Sequence, residues 1–199
     1  MIITSLKLVN FRKHKSANFE FEDGTNLVVG PNGTGKTNIL EAIELLSTGK
    51  SFRARYDYEM IYNPNVLSGN TAGEDKKDLA DYREFARVVG TVEDAKGKES
   101  LEINIVKSDP YSRVSRKTFK INGTAKPIQE TSMYLNTVLF CPQNLDLFNG
   151  SPSYRREFLD DLLCKTDQKY RKEHIIYRCL QMLQHFWGCW VLFLVFRKH

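Results

Sequence analysis

Gly30, Gly35, Lys36 and Thr37 stand at the spacing G-x-x-x-x-G-K-T, inside the stretch LVVGPNGTGKTNILEAIELL. Residues of these types in this order suit one task, holding the phosphates of a nucleotide. Glycines let backbone N–H groups curl around an anion, and a helix beginning there adds the positive end of its dipole. The lysine reaches the β- and γ-phosphates, and the threonine hydroxyl is suited to ligating Mg2+. On this reading Gly30, Pro31, Asn32, Gly33, Thr34, Gly35, Lys36 and Thr37 form an ATP-binding loop, and Thr37 is also the metal ligand. The bland alternative is a glycine-rich turn that only joins two elements.

The flanking residues must place that loop. Leu27, Val28 and Val29 form a continuous apolar run, which predicts a strand buried on both faces. After Thr37, the apolar positions Ile39, Leu40, Ala42, Ile43, Leu45 and Leu46 recur at helical spacing. Strand, glycine loop and helix together are the context the motif requires.

Size and composition bound the rest. A chain of 199 residues is one large domain, or one domain with a piece of another, and 41% hydrophobic residues can build a core. The formal charge of +5, from 29 basic and 24 acidic residues, is compatible with nucleic acid without requiring it. Cys141, Cys164, Cys179 and Cys189 have no C-x-x-C spacing, so they read as reduced thiols of a cytoplasmic protein. The opening MIITSLKLVN alternates like a strand and lacks a signal peptide's apolar centre. The apolar run FWGCWVLFLVF covers 11 residues, 186–196, about half of the ~20 needed to span a bilayer. No membrane span is expected.

Along the chain, Ile3, Leu6, Leu8 and Phe11, then Phe19 and Phe21, predict two strands. Residues 48–65 read as an irregular, aromatic and basic connection, and 68–78 as a linker. EFARVVGTVED, SLEINIVKS and RKTFKING predict an antiparallel meander with turns at Lys96-Gly97 and Asp109-Pro110. NTVLFC, 136–141, predicts another buried strand. Ser151 and Pro152 open a helix whose apolar face is Phe158, Leu159, Leu162 and Leu163, and a last helix runs over about 167–185. Asp160 and Asp161 in EFLDDLL imitate an acidic strand end that holds magnesium, but they sit inside the helical pattern and read as a charged helix face.

LVNFRKHKSANFEF, VVGPNGTGKTNILEAIELLSTGKSFR and VLFCPQNLDLFNGSPSYRREFLDD together resemble the N-terminal half of the RecF family of recombinational-repair ATPases. GSPSYRREFLD discriminates best, because the phosphate loop alone is shared by many NTPases. The resemblance implies an α/β P-loop NTPase fold of the ABC-ATPase type with an antiparallel β meander, truncated before the half that carries the signature motif and Walker B strand. It implies residues 1–165 as the N-terminal part of the ATPase lobe, and 166–199 as the start of a helical arm with an atypical apolar tail. That tail reads as a truncated or frameshifted reading frame, or as a divergent terminal element.

The resemblance further implies ATP-dependent binding, as a homodimer, to single-stranded and gapped or junction DNA in replication, recombinational repair and the SOS response. RecO and RecR would be partners in loading RecA. Gln143 falls at the γ-phosphate-sensing Q-loop of ABC enzymes, or is a surface-loop glutamine. Arg12 falls near the nucleotide, or is a solvated arginine. Arg53 and Arg55, in GKSFRAR, are the favoured DNA contacts against a reading as an ordinary solvated loop. Without signature motif and Walker B acid, ATP hydrolysis by this chain alone is not expected. The competing functions are another P-loop enzyme, such as a nucleotide kinase, and a non-catalytic nucleotide- or DNA-binding remnant.

Overall fold

Strict alternation of apolar and polar residues gives the chain its main element, a six-stranded sheet of order β2-β1-β3-β4-β5-β6 in which every neighbouring pair is antiparallel. The strands are β1 (Ile2–Phe11), β2 (His14–Glu20), β3 (Phe85–Asp94), β4 (Gly97–Lys107), β5 (Ser115–Ile121) and β6 (Thr124–Lys126). This computed structural model describes residues 1–63, 84–95, 97–107, 114–128, 130, 134–141 and 151–186. The expected first hairpin and meander are both present. Lys96, Asp109, Pro110 and the linker at 68–78 lie outside the described residues.

One face of the sheet is apolar. Leu6 and Leu8 of β1, Ala86, Val88 and Val92 of β3, Leu101, Ile103 and Ile105 of β4, and Phe119 and Ile121 of β5 are all buried. They follow period two, so each strand turns the same set of residues inward. Helix α1 (Lys36–Thr48) is part of the same core through Ile39, Ala42, Leu45 and Leu46. Each fully buried aliphatic side chain of this kind stabilises by about 1.5–3 kcal/mol. The helix packs tightly over Gly90, where an added Cβ would stand 2.6 Å from Leu46 Cδ1. A residue with a side chain there would force the buried Leu46 side chain to shift.

The other face carries Lys7, Arg87, Glu102, Asn104 and Lys120, the arrangement of an antiparallel sheet wetted on one side. Arg87 pairs with Glu102 across β3 and β4 at 2.7 Å. Partial burial pulls the Glu102 carboxyl up, but hydrogen bonds from Arg87 and Asn104, with the charges of Arg87 and Lys120, outweigh it and hold its pKa below the ordinary 4.5. A carboxyl depressed in the folded state adds stability above its unfolded pKa, and that stability is lost as pH falls through the folded value. Arg87→Ala should therefore cost about 0.2–1 kcal/mol at neutral pH. The difference should vanish once Glu102 is protonated, below 4.5. Urea unfolding of both proteins in the two conditions checks this, and an equal difference in both would contradict it.

Two expected strands are corrected by the structure. Leu27–Val29 lies in no strand, with Leu27 83%, Val28 43% and Val29 78% exposed. Residues 136–141 likewise lie in no strand, with Val138 94% and Phe140 76% exposed. An apolar run becomes a buried strand only when neighbours pair with it on both sides. Among the described residues, no strand pairs with either segment. The stretch before Val138 is still anchored to α1. Leu135 is buried, its carbonyl accepts from Ser47 Oγ at 2.8 Å, and Thr137 Oγ1 donates to Glu44.

The chain divides into two compact units, Met1–Leu139 and Phe140–His199. The second contains α2 (Pro152–Thr166) and α3 (Gln168–Phe186). Ser151 and Pro152 begin α2 as expected, although the Ser151 side chain makes no capping bond. Asp167 Oδ1 caps α3 by accepting from the backbone N–H of Lys169 at 2.7 Å and of Tyr170 at 3.3 Å. Asp160 lies within α2 and accepts from the Tyr170 hydroxyl, which pushes that phenol up to about 12. The acidic pair belongs to a helix, not to a metal-holding strand end. No described helix is long and apolar enough to cross a membrane.

Candidate nucleotide-binding site

The glycine loop 30–35 turns directly into α1. Gly35 is the residue before the first helical turn, with φ 99°, a left-handed conformation that glycine adopts without strain. An added Cβ would also stand 2.6 Å from His14 Nε2, so a side chain there would displace the His14 ring. Thr34 Oγ1 donates to the Pro31 carbonyl at 3.0 Å and tightens the loop. The Lys36 side chain folds back over its own loop, its ammonium donating to the carbonyls of Gly30 at 2.6 Å and Pro31 at 2.7 Å. The cation thus stays over the loop that leads into a helix N-terminus, the kind of place where a phosphate chain is held. Thr37 is exposed at the start of the same helix.

The β1–β2 turn adds residues that no motif announced. Lys13 Nζ donates to the Gly33 carbonyl at 2.9 Å, and His14 Nε2 lies 3.3 Å from the Gly35 carbonyl oxygen. Lys13 is exposed and His14 half-buried, so two further nitrogen-bearing side chains border the loop. The only sequence signal was the basic run after the first strand. Its approach to residues some twenty positions later is a matter of folding.

Arg12 is not a solvated arginine. Its guanidinium makes a two-point contact with Glu41, Nε to Oε2 at 2.9 Å and Nη2 to Oε1 at 2.6 Å, and donates through Nη1 to the Glu59 carbonyl at 2.7 Å. Glu41 is fully buried in α1 and also accepts from Ser51 Oγ. Arg12 therefore ties the turn, the helix behind the phosphate loop and the 57–60 segment together. Sequence reading missed Glu41, because a glutamate in a helix ordinarily marks its solvated face.

Arg53 and Arg55 are both exposed on the connection after α1. Arg53 Nη1 reaches Asn38 Oδ1, in the first turn of α1, at 3.5 Å. This places the GKSFRAR segment beside the nucleotide loop's helix. Gln143 lies outside the described residues. So do residues 187–196 of the apolar tail. Among the described residues, Cys141, Cys164 and Cys179 form no disulfide, and no cluster of metal-ligating side chains occurs.

A family model described as an AAA domain matches residues 5–184. The chain belongs to the AAA-domain family. Within it, the chain matches the N-terminal part of the DNA replication and repair protein RecF. It is 34% identical to the RecF of Oenococcus oeni over 178 residues, 89% of this chain and 41% of the relative. With the RecF of Clostridioides difficile it shares 36% identity over 174 residues, 86% of this chain and 40% of the relative. Among solved structures, the recombination mediator protein RecF-ATP in the RecFOR pathway matches with a TM-score of 0.70 at 29% identity, covering 88% of this chain and 41% of that one. The P-loop ATPase fold expected from the sequence is thus found, in part. The chain spans about two-fifths of the length of the relatives it matches.

Proposed function

We propose that this chain is the ATP-binding N-terminal part of a RecF-like protein that binds DNA under the control of ATP in replication and recombinational repair. The carrying observation is the glycine loop at the start of α1 with the Lys36 ammonium folded over it. Residues 1–165 form part of the ATPase lobe and 166–199 begin a helical arm. Gly30 to Thr37 hold the phosphates, Gln143 senses the γ-phosphate, and Arg53 and Arg55 contact the DNA backbone. Thr37 is the residue that would hold Mg2+, which when bound neutralises phosphate charge. The substrate is single-stranded and gapped or junction DNA, met as a homodimer in the cytoplasm during the SOS response, with RecO- and RecR-type mediators as partners. ATP hydrolysis is not expected from these residues alone, because the sequence carries neither a signature motif nor a Walker B strand.

Lys36→Ala removes the charge meant for the terminal phosphates. Its affinity for ATP should fall tenfold or more, a loss of about 1.4 kcal/mol or greater. Calorimetric titration of the two folded proteins with ATP tests this. Equal affinity would defeat the phosphate-loop assignment.

A further inference from the structure

We propose that the Tyr56 surface is a base-stacking site for single-stranded DNA. The inference rests on the DNA-binding reading above and adds residues that recognise unpaired bases rather than phosphates. Tyr56 and Tyr58 stack with ring centroids 5.6 Å apart and 12° between planes. The Arg55 guanidinium lies 5.4 Å from the Tyr56 centroid. Two tyrosines that served only to pack the loop would be expected inside it. Tyr56 is instead 39% exposed and lines an open cleft of about 550 Å3 with Arg55, Asp57, Val114 and Ser115.

Two segments far apart in sequence meet at this cleft. The segment with Arg53 and Arg55 faces the start of β5, whose Lys117 pairs with Asp57 at 2.8 Å. That pairing offsets the acidic side chain of the lining, and Arg55 remains an exposed positive group in it, with Arg53 exposed two residues away. The 3-10 helix Asp57–Met60 carrying Tyr58 is fixed by the fully buried Met60, so the stacked pair stands on an anchored turn. Aromatic faces beside guanidinium groups are what single strands use, because every unpaired base offers a flat π-surface. A duplex keeps its bases stacked on one another, so it can use the arginines but not the ring.

The test uses the full chain carried as a soluble fusion, with a fluorescent oligothymidylate and a duplex of equal length as probes. Tyr56→Ala should weaken oligothymidylate binding about tenfold and leave duplex binding and the salt dependence of both unchanged. Tyr56→Phe should bind like the wild type, since the ring face is kept. Arg53→Ala with Arg55→Ala should weaken both probes and flatten the salt dependence. Wild-type oligothymidylate binding by Tyr56→Ala, or an equal loss on both probes, overturns the stacking site while the DNA-binding reading stands. Duplex binding by the wild type with no binding of oligothymidylate overturns it too. Failure of the wild type to bind either probe defeats the DNA-binding reading and this inference with it.

Discussion

Arg12→Ala should lower the stability of the chain by about 3–5 kcal/mol, the usual cost of leaving a buried charge without its partner. The reason lies with Glu41, whose side chain is fully buried, while Arg12 is 20% exposed. Once the guanidinium is gone, only the Ser51 hydroxyl remains of the Glu41 partners shown, and a hydroxyl does not neutralise a carboxylate. The Glu59 carbonyl also loses a donor. Arg12 sits at φ 53°, a left-handed conformation that costs arginine and alanine alike about 1 kcal/mol. Arg12→Gly removes that penalty and should still lose most of the stability. Combining Arg12→Met with Glu41→Leu should recover much of the loss, because apolar replacements need no counter-charge. Urea unfolding of the three variants beside the parent chain measures this. A loss below about 1 kcal/mol in Arg12→Gly would show the pair to be solvated and of surface strength.

The second large effect is on association. Leu27, Val28 and Val29 stand in an extended stretch outside the sheet, largely exposed, directly before the phosphate loop. The α2–α3 unit shows Leu159 at 53% and Ile176 at 59% exposure on its own apolar faces. Water satisfies the backbone groups of the exposed stretch, so the stretch does not prevent folding. Apolar surface next to unpaired N–H and C=O groups instead invites pairing with another chain. The chain by itself should therefore form large species at about micromolar concentration. Supplying in trans the remaining part of a relative such as the C. difficile RecF should shift it towards a soluble complex. Size-exclusion chromatography with light scattering reads both results. A monomer that melts cooperatively without any added segment would refute this expectation.

The phosphate loop was legible in the sequence because its chemistry is local. Gly30 to Thr37 need only their own backbone, the helix that follows and one side chain folded back on the loop, all within eight residues. The antiparallel strands were legible for a related reason, since a face buried on one side leaves a period-two record in every strand. The strand reading failed at Leu27–Val29 and 136–141. An apolar run records that burial suits it, while burial itself depends on neighbours supplied by other parts of a fold. The same limit hid the Arg12–Glu41 pair, the approach of Lys13 and His14 to the loop, and the cleft where Tyr56 meets Val114 and Ser115. Each joins residues far apart in sequence, so no spacing could carry the signal. The residues set what the loop can hold. Only the tertiary structure decided which charges would be buried behind it and which rings would be left facing solvent.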